Sequence, residues 1–219
     1  LQFAVRNDIY ADPDKAILDA FSDAPRFNRW MADTIRPYVG KRVLEIGAGM
    51  GFLSAFCAKK IGSERVFAYE ANPALIPLID KTYEANGIGP TVKNAMLGRG
   101  QGRASFYVEE EFWASTNVAS NTRSAKLIEV DQLDLNTEIA QVKPTFLIVD
   151  IEGGEAELFP LADLSGVEKI CVETHPHALG NGGVSKLLSL LFERGFVLDI
   201  SLIRKNVFYL YRLRPDRAP

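Results

Sequence analysis

Cysteine is scarce. Only Cys57 and Cys171 occur in 219 residues, each inside an apolar run (FLSAFCAKK and EKICVE). Two thiols so placed make neither a disulfide framework nor a cysteine-rich zinc site, and buried free thiols are expected. No apolar run reaches the length needed to span a membrane, and the opening residues LQFAVRNDIYADPDK carry no signal-peptide pattern. No membrane partner is therefore expected, and a cytoplasmic location is the default. The formal net charge is only −3, which gives no general attraction to polynucleotides. No nucleic-acid partner is expected. Histidine is rarer than its usual share as well: His175 and His177 are the only two, so imidazole chemistry can come from one stretch alone.

What remains is an ordinary globular composition, 47% hydrophobic and 24% charged. A chain of this length can fill one core and carry a modest extension or cap. It begins at Leu1 and not at Met, as a piece of a longer chain would. Its oligomeric state is left open.

Residues 1–40 read as a polar lead-in followed by helices. Pro13 suits a helix first turn after Asp12, and Phe27, Trp30, Met31, Thr34 and Ile35 recur at helical spacing before Gly40 ends the segment. From Lys41 onward strand and helix alternate: strands at 42–46, 65–70 and 91–97, helices at 51–60 and 73–86. That order predicts an α/β domain over 41–219, with a parallel sheet and helices on its faces. Residues around 103–131 break the rhythm and predict an inserted hairpin at the sheet edge, its two strands joined by EEFWASTNVASNTRS. The alternation then resumes with strands at 145–151 and 167–173, helices from about 155 and over 184–194, and a final strand pair at 196–201 and 207–213. One domain accounts for the whole.

Four stretches carry chemistry. The first is VLEIGAGMG, in which Gly47, Gly49 and Gly51 let a strand-to-helix turn approach a ligand with no Cβ in the way. A nicotinamide-dinucleotide fingerprint would need its third glycine where Phe52 stands, which disfavours an oxidoreductase. Glu45 before the turn suits a cationic ligand better than a pyrophosphate. The second is Glu70, ending the strand VFAYE, where a carboxylate accepts both hydroxyls of a ribose. The third is VDIEGGE, an apolar strand running into Asp150, Glu152 and Glu155. Three acids this close repel, so a cation, a hydroxyl donor or a raised pKa should accompany them. The fourth is CVETHPH, with His175 just past a strand, where imidazole titrates near neutrality and can serve as a base or simply hydrogen-bond.

Taken in order, VLEIGAGMG, AYEANP, NAMLG, VDIEGGE and ETHP make the chain resemble the FkbM-type family of class I S-adenosylmethionine-dependent methyltransferases, over roughly residues 41–213. VDIEGGE is the most specific element; the glycine turn is common to nearly all class I enzymes. The resemblance implies a Rossmann-like fold with a mostly parallel seven-stranded sheet, helices on both faces and an N-terminal helical lead-in that caps the cofactor. It implies S-adenosylmethionine as methyl donor and a hydroxyl of a sugar or natural product as the small-molecule acceptor. Glu45 is then expected near the methionine ammonium. Gly47, Ala48, Gly49 and Gly51 are expected to line the turn, and Glu70, Ala71 and Asn72 the ribose. Asn94 and Ala95 are expected to border the adenine, with Asp150 also close to the cofactor. Asn94 stands where many relatives carry an acid.

The expected reaction is in-line transfer of the sulfonium methyl to oxygen, with His175 or Asp150 taking the hydroxyl proton and Ser115, Thr116 and Asn117 orienting the acceptor. A divalent metal on Asp150, Glu152 and Glu155 is the competing and less favoured way to activate the acceptor. N-methylation of a small molecule or a protein, and a non-catalytic adenosyl-binding protein, remain as alternatives.

Overall fold

The computed structural model describes residues 39–108 and 126–213. The lead-in that carries Phe27 and Trp30, and the expected acceptor contacts Ser115, Thr116 and Asn117, lie outside the described residues. Within them the chain runs β1 (Val43–Ile46), α1 (Phe52–Ile61), β2 (Val66–Glu70), α2 (Ile76–Ala85) and β3 (Thr91–Asn94). It continues through β4 (Met96–Gly98), β5 (Gly102–Val108), β6 (Lys126–Asp134), α3 (Leu135–Val142), β7 (Phe146–Val149) and α4 (Glu155–Leu161). It closes with β8 (Lys169–Glu173), α5 (Pro176–Glu193), β9 (Phe196–Leu198) and β10 (Val207–Arg212).

Seven strands form the main sheet in the order β3-β2-β1-β7-β8-β10-β9, all parallel except β10. The strands read as continuous apolar runs because both faces are covered. Leu44, Ile46, Leu147, Val149, Ile170 and Val172 point to the side packed by α3, α4 and α5. Their alternates Val43, Phe146, Ile148 and Cys171 meet Phe56 and Cys57 of α1, and Ala68 meets Ile79 and Tyr83 of α2. Each such side chain contributes roughly 1.5–3 kcal/mol by its burial, so the two-sided core fixes the strand register. A slip of one residue would carry Glu45 from the α1 face into the opposite core.

The departures from expectation are local. The strand read as 91–97 is two strands, because the chain leaves the main sheet at Ala95. The inserted strands do not extend the sheet edge. β5 and β6 pair antiparallel, β4 joins β6 in parallel, and the three make a separate small sheet. Between β6 and β7 stands α3, which the expected order omits. Asp134 starts it by accepting from Thr137 N at 2.8 Å, and Leu135, Ile139 and Val142 form its buried stripe. Helix α5 begins at Pro176, eight residues before the expected start at 184, with a break in helical geometry at Gly180.

The chain winds outward from β1 to β3 and then returns to β7 on the other side of β1, so the switch point lies between β1 and β7. In open α/β sheets the carboxyl ends at such a point form a crevice. Here Gly47 fills it with bare backbone. Its φ is 79°, and a Cβ on it would come within 1.7 Å of the Asp150 carbonyl oxygen. Gly49, at φ 56°, faces open space instead. Gly49→Ala should therefore cost only about 1–2 kcal/mol of backbone strain, whereas Gly47→Ala, with strain and collision together, should cost about 4 kcal/mol or more in urea unfolding.

Candidate active site

A cavity of about 820 Å³ opens at the carboxyl ends of β1, β2, β7 and β8, and the small sheet supplies its far wall through Met96, Leu97, Phe106 and Gln132. Of the expected cofactor contacts, Glu45, Gly47, Ala48, Gly49, Glu70, Ala71, Ala95 and Asp150 line it. Gly51, Asn72 and Asn94 stand behind the wall. Gly51 takes φ 75° at the N-cap of α1, against Ile79 and Tyr83. Asn72 is buried, and its Oδ1 accepts from Ala74 N to start the 3-10 turn Pro73–Leu75. The Asn94 amide donates to the carbonyls of Glu70 and Ala71 at 2.8 and 3.2 Å, so it shapes the β2 turn and does not face the cavity.

Two carboxylates anchor one half of the cavity. Glu70 accepts from Gly49 N through Oε2 and from Asn72 N through Oε1, both at 2.8 Å. It thereby ties the glycine turn to the turn after β2. Glu45 accepts from Ser54 N at 3.1 Å, in the first turn of α1. Both are buried, and among the described residues neither has an arginine or lysine paired with it. Burial lifts the Glu70 carboxyl to about 7, against the opposing backbone hydrogen bonds from Asn72, Gly49 and Ala71. Burial lifts Glu45 to about 8; the Ser54 hydrogen bonds oppose the shift and the charge of Glu70 adds to it.

The other half is an acid cluster folded around one imidazole. After β7 the chain turns through Glu152 at φ 51° and Gly153 at φ 103°. A non-glycine residue in the left-handed region is strained, and here the turn brings Glu152 beside its neighbour Asp150. His175 Nε2 lies 3.5 Å from Asp150 Oδ1 and 3.3 Å from Glu152 Oε2, while Nδ1 meets Glu155 Oε1 at 2.7 Å. Glu155 is 0% exposed and the His175 side chain 7%, whereas the Asp150 side chain is 40% exposed toward the cavity. The surroundings push the Asp150 carboxyl well up, first by desolvation and then by the charge of Glu173, with His175 pulling down. Burial also raises Glu173, which lines the cavity beside Asp150. For His175 burial works against the charged ring, but the hydrogen bonds to Glu152 and Glu155 and the charge of Asp150 override it and lift it to about 11.

The geometry bears on two expectations. His175 does not line the cavity, and carboxylates face both of its ring nitrogens. Held this way, the ring is turned toward the acid cluster. Glu155, the third acid of the expected metal set, meets the nitrogen of His175 that faces away from Asp150 and Glu152. The group whose ligand atoms do converge, all within 4.8 Å of one another, is Asp150, Glu152 and His175. Glu173 was overlooked as a site residue; as the last residue of β8, next to β7, it carries the same strand-end signal that marks Asp150.

Comparison with known proteins adds the lineage. Residues 45–198 match the model of the methyltransferase FkbM domain. The chain belongs to the FkbM methyltransferase family. The chain also resembles, in part, a protein-lysine N-methyltransferase, EFM3 of Chaetomium thermophilum, with 33% identity over 73 residues; the match spans 33% of this chain and 22% of that relative's length. Among solved structures, the S-adenosylhomocysteine-bound methyltransferase PaMTH1 of Podospora anserina aligns with TM-score 0.52 at 15% identity, over 91% of this chain and 86% of that one. A variant of MtNAS in complex with S-adenosylmethionine aligns with TM-score 0.50 at 15% identity, over 95% and 70%. The fold is that of the class I methyltransferases.

A carboxyl whose folded pKa is raised contributes stability below its ordinary value of 4.5 and loses it as pH climbs through the raised one, about 8 for Glu45. In the FkbM chain free of ligand, Glu45→Gln should therefore leave the melting temperature at pH near 5 almost unchanged. At pH near 8 it should stabilise the fold by on the order of a few kcal/mol. Equal effects at both pH values, read by thermal melts, would show that Glu45 is not held under this strain.

Proposed function

We propose that the protein is an S-adenosylmethionine-dependent methyltransferase acting on a hydroxyl of a small molecule. The carrying observation is one continuous cavity. Its first half offers a glycine turn with two buried carboxylates, and its second ends on Asp150 and Glu173. At about 820 Å³ it lies near the top of the range for single ligand pockets, roughly 300–1,000 Å³, which favours a cofactor together with a compact acceptor.

The first half fits the cofactor chemically. Glu45 and Glu70 are buried carboxyls held by backbone N–H groups, so a ligand ammonium beside Glu45 and ribose hydroxyls on Glu70 would favour their charged forms. Gly47, Ala48 and Gly49 bring bare backbone to the cofactor, while Ala71, Leu75 and Ala95 give an apolar berth for the adenine. Gly51, Asn72 and Asn94 then act by shaping the two turns. When bound, the cofactor supplies an activated methyl whose bond to sulfur breaks with the electron pair left on sulfur. Asp150 and Glu173 orient the acceptor hydroxyl and take its proton as the new carbon–oxygen bond forms. Ser115, Thr116 and Asn117, on the segment that joins β5 to β6, are proposed to contact the acceptor, and the lead-in helix to cap the cofactor.

A second reading has an observation of its own. The acid-lined end of the cavity would also attract an ammonium, and the partial likeness to a protein-lysine N-methyltransferase points the same way. Incubation with methyl-labelled cofactor and panels of hydroxylated metabolites, amines and lysine peptides separates the two: label on oxygen is expected, and label on nitrogen alone would overturn the proposal. The cofactor assignment has its own test. Both adenosyl ligands should raise the melting temperature and nicotinamide cofactors should not. Glu70→Ala should weaken S-adenosylhomocysteine binding by roughly 1.5–3 kcal/mol in calorimetry, with the fold preserved.

A further inference from the structure

We propose that Asp150, Glu152 and His175 form a binding site for a divalent first-row transition ion, of the Mn²⁺ or Zn²⁺ type, set in the cavity wall where the acceptor oxygen arrives. The chemistry rests on the methyltransferase reading; the test does not.

The geometry is that of a ligand set. Nε2 of His175 faces Asp150 Oδ1 at 3.5 Å and Glu152 Oε2 at 3.3 Å. Charge-assisted N–H···O contacts usually close to about 2.7–2.9 Å. Ligand atoms held about 2.1 Å from a common ion stand about 3.0 Å apart in an octahedron and about 3.4 Å apart in a tetrahedron. The observed separations are longer than a closed charge-assisted contact and near those of ligands on a common ion, which would take the place of the Nε2 proton.

Independent support comes from behind the ring. Glu155 holds Nδ1 at 2.7 Å and thereby directs Nε2 toward the two carboxylates. Metal-bound imidazoles are oriented by such an outer carboxylate, which also makes the ring a better donor. The second oxygen of Glu155, Oε2, is buried with no hydrogen-bond partner among the described residues. A buried carboxylate left so under-satisfied is understandable when the ring beside it carries a dication. Four carboxylates meet here, Asp150, Glu152, Glu155 and Glu173. Among the described residues His175 lies between Asp150, Glu152 and Glu155, the exposed His177 is 3.9 Å from Glu152, and Lys205 acts on Glu173. A dication would add to this attraction.

Ligand type narrows the ion. One imidazole nitrogen favours first-row transition ions over Ca²⁺ and Mg²⁺, and two carboxylates favour Mn²⁺ or Zn²⁺ over copper. Three protein ligands leave coordination positions open. Asp150 and Glu152 line the cavity while His175 lies behind them, so those positions face the acceptor. An ion there would act as a Lewis acid on the acceptor hydroxyl, whose proton passes to Glu173, the cavity carboxylate outside the ligand set.

The test is direct binding of Mn²⁺ to the protein stripped with chelator and dialysed, followed by the loss of the free-ion paramagnetic resonance signal. One ion per chain is expected. Glu155→Gln, outside the ligand set, should weaken binding about 10–100-fold, and Glu152→Gln and His175→Ala by at least as much. Glu152 is part-exposed, so its variant decides the matter if His175→Ala does not fold. The proposal is overturned if no Mn²⁺ binds up to about 1 mM, or if the variants bind as the parent does. S-adenosylhomocysteine binding, measured on the same samples, keeps the readings apart. Its persistence without Mn²⁺ binding removes the metal site and leaves the methyltransferase reading, and its loss in the parent protein does the reverse.

Discussion

Gly47 and the carbonyl of Asp150 occupy space that a single methyl group would destroy. That contact joins the end of β1 to the end of β7 at the switch point of the sheet. Asp150 N also donates to Ile46 O at 3.0 Å, and both Gly47 N and Ala48 N donate to Tyr69 O. Three strand ends are thereby fixed to one another by backbone alone. Much of the candidate site departs from this knot: the glycine turn toward α1, Glu70 from β2, and the acids of the β7 turn, with Glu173 and His175 added from the end of β8. Side chains in such a place inherit their positions from hydrogen bonds that do not vary with rotamer, which is what alignment-dependent chemistry requires.

The knot also explains an electrostatic peculiarity. Glu45, Glu70, Asp150 and Glu173 converge on one cavity, and burial raises all four carboxyls. Buried acids are usually neutralised by lysine or arginine. Among the described residues, backbone N–H groups, His175 and, at Glu173, Lys205 offset that burial in part. Elsewhere the protein follows the usual rule: buried Glu138 pairs with Lys93 at 2.6 Å and also accepts from the Tyr69 hydroxyl.

Much of this was readable from sequence, for physical reasons. The glycine turn and the strand ends at Glu70 and Asp150 are legible because sheet topology fixes where a strand ends and backbone geometry fixes what a left-handed glycine permits. The separate three-stranded sheet was not, since β4 differs from a continuation of β3 only in a break at Ala95, and its pairing with β6 is a long-range choice. Helix α3 carried its signal in Leu135, Ile139 and Val142 but is only eight residues long, too short for periodicity to stand out. Within the site, the sequence singled out Asp150, Glu152, Glu155 and His175, passed over Glu173, and could not orient any of them. Past a strand end, side-chain direction depends on each φ. Glu152 at 51° turns back toward Asp150, and this one angle separates the two carboxylates that converge from Glu155, which does not.

The two halves of the cavity are therefore built on different principles. In the half bearing Glu45 and Glu70, the contacts that fix the acids come from backbone N–H groups of Gly49, Ser54 and Asn72. Substitutions nearby change that half little so long as the turns survive. The opposite wall is made by Met96, Phe106 and Gln132 of a small sheet that is not hydrogen-bonded into the main one. Its side chains can vary without disturbing the knot at Gly47. Gln132 already serves as a strut, donating to the carbonyls of Arg99 and Gly100 at 2.9 and 3.1 Å. Phe106 and Met96 leave a largely apolar face on this wall, so the cavity is acidic on the side that the main sheet builds and apolar on the side that the small sheet builds.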